Sequence, residues 1–482
     1  MAETRTASSY LSRISWPMAL GFALLLSFMD TLSLVSASIP IKDIDTGAGF
    51  LVAVRLLEVA TFIFIALTAG KIGSLVARIP LILIFAALCV MQVALQIMTI
   101  TDIITLDQLG VRIISAFIRS VALSAFWLSW IEFYAKHPMR LVMINYLMAN
   151  VLAAIFTMAL NLVGVSVPML IILAVMPVIS AYLLVYAYKQ IDSTSHLHEN
   201  NETQAQRFPV MAVVLMAVFT LANVFARDVL PTKDRLWATV GVVVCLVMLF
   251  FALRLGSMRF GIWPLCGVAF PLTLAGLFGL LLNPDVWGIA ATLSTHAGAA
   301  LFSVFMGVVL CNIAYRYGVS ALRLFGFAQA AASLASLTGA LLAFRAGLEG
   351  DSFTLAVAAM GLALCICYVI LTRKQEGEIV WGVDPSLGED TALLEAAHDQ
   401  QGDAETPEHL FERCSRIAYE YGLTRREEEV LVLLAQGQTA KQIEDTLVVT
   451  NSTVKSHTHA VYQKLGLHSR AELIEFVAGQ SR

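Results

Sequence analysis

In TNSTVKSHTHAVYQKLGLHSR, Thr450 to Arg470, hydrogen-bond donors gather and no carboxylate intervenes. Read as a helix from Thr450 to about Leu465, Val454, Thr458, Val461 and Leu465 share one face at helical spacing. The opposite face carries Ser452, Lys455, Ser456, His459 and Gln463. An apolar seat beneath Lys, Ser, His and Gln suits the major groove of double-stranded DNA. Lys donates to guanine O6 and N7, and Gln or His reaches other base edges. At the start of the helix, Thr450, Asn451, Ser452 and Thr453 offer hydroxyls and backbone N–H groups where a phosphate would sit.

Other elements must hold this helix in place. LTRREEEVLVLLAQG opens on Thr424 with Glu427 three residues later, which makes a capping box. Its apolar face is Val430, Leu431 and Leu434, and Gly437 ends it. TAKQIEDTL repeats the device with Thr439 and Gln442, anchored by Ile443 and Leu447. SRAELIEFV repeats it with Ser469 and Glu472. A short helix, a tight turn and the donor-rich helix form a helix-turn-helix. From Gly422 to Arg482 there are seven Lys and Arg and seven Asp and Glu. Charge alone therefore does not announce nucleic acid. The acids fall on the first, second and last helices, and the donor-rich helix keeps Lys455, His457, His459 and Lys464 to itself. A helical domain that binds another protein is the competing reading.

The stretch also resembles the LuxR/GerE-type DNA-binding domain. Matching residues are Leu423, Thr424, Arg426, Glu427, Gly437, Thr453, Val454, Lys455, His457, Lys464, Leu465, Gly466, Ser469 and Arg470. The resemblance implies that Lys455, Ser456 and His459 face bases; the outward position of Gln463 adds it to that row. It further implies that Thr450, Ser452, Thr453, His457 and Lys464 hold the DNA backbone, and that the last helix helps form a homodimer. Glu444 departs from the small residue usual at its place, where two helices approach.

A second set of chemically able residues lies in apolar surroundings. Asp30, Arg55, Glu58, Arg112, Arg119 and His296 all fall inside long hydrophobic runs. Charges there are costly and often functional. Asp30, Arg55, Glu58 and Arg119 lie at comparable depth. Two readings stay open: a buried ion-pair cluster that only stabilises the bundle, or, with His296, the lining of a cavity for a small ligand bearing a charged group. Asn150, Asn161, Asn223 and Asn312 add polar groups, although intramembrane Asn commonly joins helices.

The runs that carry them set the architecture. The chain has 482 residues, 58% hydrophobic and only 14% charged. Soluble domains carry roughly 25% charged residues, so the bulk of this chain belongs in a lipid bilayer. A span needs about 20 apolar residues. Twelve segments qualify: 16–39, 47–70, 80–100, 109–133, 141–165, 167–188, 208–226, 236–255, 261–282, 286–313, 319–344 and 353–371. The polar break KQIDSTSHLHENNETQAQRF, loop 189–207, divides residues 16–372 into halves 16–188 and 208–372. Cations such as Lys71, Arg78, Lys136, Arg140, Lys189, Arg207, Arg254, Arg259 and Arg316 collect in alternate loops, which places both termini in the cytoplasm. The loop with Arg227, Lys233 and Arg235 runs against that trend. Residues 1–15 read as a cytoplasmic start rather than a removable signal.

The six-plus-six layout resembles the major facilitator superfamily. That family's loop between spans two and three usually carries an Asp and a Gly-Arg-Arg/Lys pattern. GKIGSLVARIP keeps Gly70, Gly73 and Arg78 but has no Asp, which argues against active transport. The expected fold class is all-α, a transporter-like twelve-helix membrane bundle plus a four-helix helix-turn-helix domain. Residues 373–420 form an acidic linker with one short helix near Pro407–Tyr421, and 421–482 form the DNA-binding domain. The linker's acids are either a solvated tether or a device that repels the anionic inner leaflet.

Six of seven Cys lie in apolar runs and Cys414 lies in the tail, which suits buried thiols rather than metal ligands or disulfides. No G-x-S-x-G, Walker loop, HExxH or histidine-kinase signature occurs. We expect no enzyme, no cofactor and no metal. A regulator of transcription in a bacterial inner membrane is the reading these features converge on. A transporter with a DNA-binding tail is the alternative.

Overall fold

Each of the twelve apolar segments is a helix. The computed structural model describes residues 15–38, 44–101, 103, 109–137, 139–190, 210–229, 235–254, 263–279, 281, 284–317, 319–346, 351–372, 407–435, 438, 443, 451–467 and 470–479. Two compact units result, Met1–Glu376 and Gly377–Arg482.

The first unit holds α1 (Trp16–Ser38), α2 (Ile44–Ile72), α3 (Ile79–Ile100), α4 (Leu109–Tyr134), α5 (Met139–Val163) and α6 (Val167–Lys189). It continues with α7 (Val210–Val229), α8 (Arg235–Arg254), α9 (Trp263–Gly279), α10 (Pro284–Tyr317), α11 (Ala321–Ala346) and α12 (Asp351–Thr372). Over the described residues, eight of these are long and apolar enough to cross a membrane. Shorter apolar runs occur at Thr239–Leu249, Gly267–Gly279 and Phe353–Val369. Side chains such as Phe64, Leu67, Ile84, Ile171, Phe344 and Leu355 point outward, as a lipid-facing surface requires. Helix starts use proline where a backbone donor is dispensable, in the first turns of α3 and α6.

The packing repeats. In the first half α1 packs on α5 and α6, α2 on α4, and α3 on α4 and α6. Adding six to every label describes the second half: α7 on α11 and α12, α8 on α10, and α9 on α10 and α12. The seams between halves obey the same operation, because α2 with α11 exchanges with α5 with α8. The packing pattern thus recurs after six helices, in keeping with the six-plus-six division read from the sequence. At the α2–α11 seam a Cβ on Gly326 would come within 2.8 Å of Ala66 Cβ and 2.9 Å of the Phe62 carbonyl oxygen. Only glycine lets these backbones approach so closely.

Polar side chains pin the first half together. Trp130 Nε1 donates to Ser180 Oγ at 3.0 Å, and Ser180 Oγ donates to the Gly21 carbonyl at 2.7 Å. Tyr134 OH donates to the Met18 carbonyl at 3.1 Å. Phe22, Trp130, Tyr134 and Tyr146 pack ring against ring around these bonds. The α2–α3 loop lacks its own carboxylate, and α4 supplies one. Glu132 accepts from Ser74 Oγ and from the backbone N–H groups of Leu75 at 2.8 Å and Val76 at 3.2 Å, with Lys136 Nζ 3.8 Å away.

The second unit holds α13 (Pro407–Glu420), α14 (Arg425–Ala435), α15 (Asn451–Leu465) and α16 (Arg470–Gly479). Three of the four expected tail helices are thus present. The remaining one, TAKQIEDTL, lies outside the described residues except Ile443, which is buried. Cys414 and Ile417 of α13 share one core with Val430, Leu431 and Leu434 of α14, Val454 and Val461 of α15, and Leu473 of α16. Tyr421 meets Phe476 edge to face at 5.6 Å, which ties the end of α13 to α16. The helix that ends the acidic stretch therefore packs as part of the tail core.

Candidate functional site

The local chemistry of the tail begins at its capping box. Thr424 N donates to Glu427 Oε2 at 2.6 Å, and Glu427 N donates to Thr424 Oγ1 at 3.4 Å. Val430 and Leu431 are fully buried, so α14 serves as the floor of the domain. On α15, Val454 and Val461 are fully buried and Leu465 nearly so. Lys455, Ser456, His459 and Gln463 are all exposed. At about 100° per residue these four fall within a third of the helix circumference, roughly opposite the buried stripe. One face of α15 is thereby fixed to the core and the other presents a continuous row of donors.

Thr453 and His457 are half-buried at the flank of that row. Asn451 and Ser452 lie in the first turn, but their side chains are outside the described residues. Thr450, Thr439, Gln442, Glu444, Leu447 and Ser469 also lie outside them. Lys464 is engaged within the domain. Its Nζ is 2.6 Å from Glu427 Oε2 and 3.1 Å from the Gly422 carbonyl, so it links the end of α15 to the capping box of α14. Burial alone pushes the Glu427 carboxyl up. Hydrogen bonds from Lys464 and Thr424 and the lysine's charge outweigh it, and the net shift is below the usual glutamate value. Burial pushes the Cys414 thiol up to about 11, with Arg413 opposing and Glu428 adding to the rise. It remains a packed, protonated thiol at neutral pH.

Two glycines close the helices that flank this network. Gly422 and Gly466 have φ of 62° and 69°. Leu423 N donates to the Ala418 carbonyl at 2.8 Å, and Leu467 N to the Tyr462 carbonyl at 2.9 Å. Both are Schellman caps, which a left-handed glycine makes possible.

The first unit holds a partly open cavity of about 450 Å³, lined by α1, α2, α4, α5, α7, α10 and α11. Asp30, Arg55, Glu58 and His296 line it. Arg55 Nη1 pairs with Glu58 Oε2 at 2.8 Å. The His296 ring bonds the Thr292 carbonyl through Nδ1 at 2.9 Å. Arg119 stands off the lining, on α4, where it acts electrostatically on Glu58 and Arg55. Asn150 and Asn223 reach the cavity, and the side chain of Arg112 lies outside the described residues. The structure adds Arg227. The sequence placed it in a loop, whereas α7 runs on to Val229 and carries it into the lining, one turn beyond Asn223. That four-residue spacing from Asn223 was the available signal. Aromatic walls complete the space: Trp127 meets Phe62 and Phe325 edge-on, and Phe219 stacks on Phe302 at 3.7 Å.

Comparison with known proteins follows these two regions. Residues 422–477 match the family described as bacterial regulatory proteins, luxR family (GerE). The tail is 44% identical over 54 residues to the Fimbriae Z protein of Escherichia coli K12, covering 11% of this chain and 26% of that protein. It is 39% identical over 66 residues to the uncharacterized response regulatory protein YgeK of the same organism, covering 13% and 45%. It is 43% identical over 54 residues to the oxygen regulatory protein NreC of Staphylococcus aureus JH9, covering 11% and 25%. This chain thus spans between a quarter and a half of the relatives it matches. The helical bundle is similar to the major facilitator superfamily transporter FucP in its outward conformation, with a TM-score of 0.45 and 13% identity over 74% of this chain and 97% of that one. One chain thus carries a stretch similar to luxR-family regulators and a separate bundle of apolar helices.

Proposed function

We propose that this chain is a membrane-embedded one-component transcription regulator. The observation that carries the reading is the exposed row Lys455, Ser456, His459 and Gln463 on α15, set in a luxR-type domain, on the same chain as a bundle whose cavity is lined by Asp30, Arg55, Glu58 and His296. In this reading the row enters the major groove of double-stranded DNA, and Thr450, Asn451, Ser452, Thr453 and His457 hold the backbone. The bundle crosses a bacterial inner membrane twelve times, with both termini in the cytoplasm. The cavity around Asp30, Arg55, Glu58 and His296, with Arg119 behind it, takes a small ligand. Two bundle states of different ligand affinity bias the tail, which pairs as a homodimer through α16 on DNA. The tail domain begins at Pro407, because α13 shares its core. The chain performs no catalysis and needs no cofactor.

The test is capture of DNA by the full chain in cells, compared with Lys455→Ala. Discrete sites that disappear in the variant support the reading. Equal recovery from both, or none above background, contradicts it. Substrate flux in vesicles would favour the transporter with a regulatory tail.

A further inference from the structure

Four charged residues line the cavity, and three of them already have partners. Arg55 is held by Glu58 at 2.8 Å, and Arg227 Nε faces Asp228 Oδ1 at 3.4 Å. Asp30 differs. Among the described residues it makes no hydrogen bond or ion pair, and its side chain is exposed to the cavity. A carboxylate set among apolar helices without a bonded partner is a costly arrangement, and Arg227 acts on Asp30 only through space.

A second open acceptor belongs to the same lining. Asn223 Nδ2 is spent on the Phe219 carbonyl at 3.1 Å, while Asn223 Oδ1 is buried with no partner. Arg227, one helical turn beyond Asn223, acts on the charge of Asp30, and Asp30 and Asn223 both line the cavity. A group that satisfies both must be cationic and must carry several N–H donors. A primary ammonium does both. Anions are disfavoured, because each arginine is already committed to a carboxylate. The wall also holds Phe62, Trp127, Phe219, Phe302 and Phe325 among polar and aliphatic side chains, and these rings offer apolar contact and ring faces to a cation. The volume of about 450 Å³ is that of a small organic molecule's pocket.

We infer that the cavity binds a protonated primary amine with an apolar or aromatic body, its ammonium seated between Asp30 and Asn223. This rests on reading the bundle as the sensing half of the molecule. The probe is radiolabelled tryptamine, dialysed to equilibrium against the full chain in lipid nanodiscs, with empty nanodiscs subtracted. Saturable binding is expected, displaced by phenethylamine and not by 3-phenylpropionate. Asp30→Asn should weaken it at least tenfold, Asp30→Glu should restore part of the loss, and Asn223→Ala should weaken it severalfold. Melting curves identify any variant that fails to fold, and Asn223→Ala then decides. No saturable binding, equal displacement by the carboxylate, or unchanged affinity in the folded variants overturns the inference. DNA capture by the same preparation is read separately. Amine binding without any DNA binding would keep the site and overturn the regulator reading instead.

Discussion

Lys455 and Lys464 lie on one helix and serve different ends. Lys455 is exposed and bound to nothing within the described residues, so its replacement should leave the fold intact. Lys455→Ala is expected to cost about 1–3 kcal/mol of specific DNA binding, with the tail's unfolding free energy unchanged within about 0.5 kcal/mol. Titration onto captured sites and urea melts check the two halves of that statement. Lys464 is tied to Glu427 and the Gly422 carbonyl. Lys464→Met should lower tail stability by about 1 kcal/mol while leaving the salt dependence of DNA binding nearly unchanged. A phosphate contact would instead reduce the salt slope by about one. The same pair sets a pH dependence. Glu427 is ionised to a lower pH in the folded tail than in the unfolded chain. Its contribution is therefore complete above the usual glutamate value near 4.5 and is lost as the pH falls through the lowered folded value. Acid melts of Glu427→Gln should lack this component. The donor row was legible in the sequence because helical spacing alone separates it from Val454 and Val461. The inward turn of Lys464 was not, because it depends on a partner 37 residues away.

Among the elements, periodicity and caps located α14, α15 and α16 to within a few residues, since each carries its own start signal. Apolar run length did the same for the twelve helices of the bundle. The sequence also placed α13 near Pro407–Tyr421 but did not show its membership of the tail core, because its buried Cys414 and Ile417 sit inside a stretch that composition marks as linker. Its role follows from packing against α14 and α16, which no local pattern announces. Arg227 was hidden for a similar reason, because a charge near a helix end reads as loop until the helix is seen to continue. The seam between halves offers a test at this scale. Gly326→Leu places a branched side chain where even a Cβ lies 2.8 Å from Ala66 Cβ. It should lower the melting temperature of the bundle in detergent and leave the tail's own melt unchanged, because the two units have separate cores. In the tail, Gly466→Ala forces φ of 69° on a residue with a side chain, at a cost of about 1–2 kcal/mol in urea melts.

For the whole molecule, the six-fold shift in helix packing gives the bundle two equivalent halves around one cavity. The proposed twelve crossings would return the C-terminus to the side on which the chain began. We expect a fluorescent protein fused after Arg482 to glow and alkaline phosphatase at the same place to stay inactive; the reverse pattern would put the tail beyond reach of DNA. In the sequence, span count and loop cations are what support this proposed plan. The sequence could not show which buried charges pair, since Arg55 with Glu58 is a local match whereas the surroundings of Asp30, Arg227 among them, depend on helices far away in the chain. The central claim is that one chain both sits in the membrane and reads DNA through α15. Its most direct test is genome-wide recovery of DNA crosslinked to the full chain in isolated membranes, beside Lys455→Ala at equal abundance. The account predicts a small set of enriched sites that collapses in the variant. Enrichment that survives the substitution, or recovery no different from a membrane protein without the tail, would contradict it.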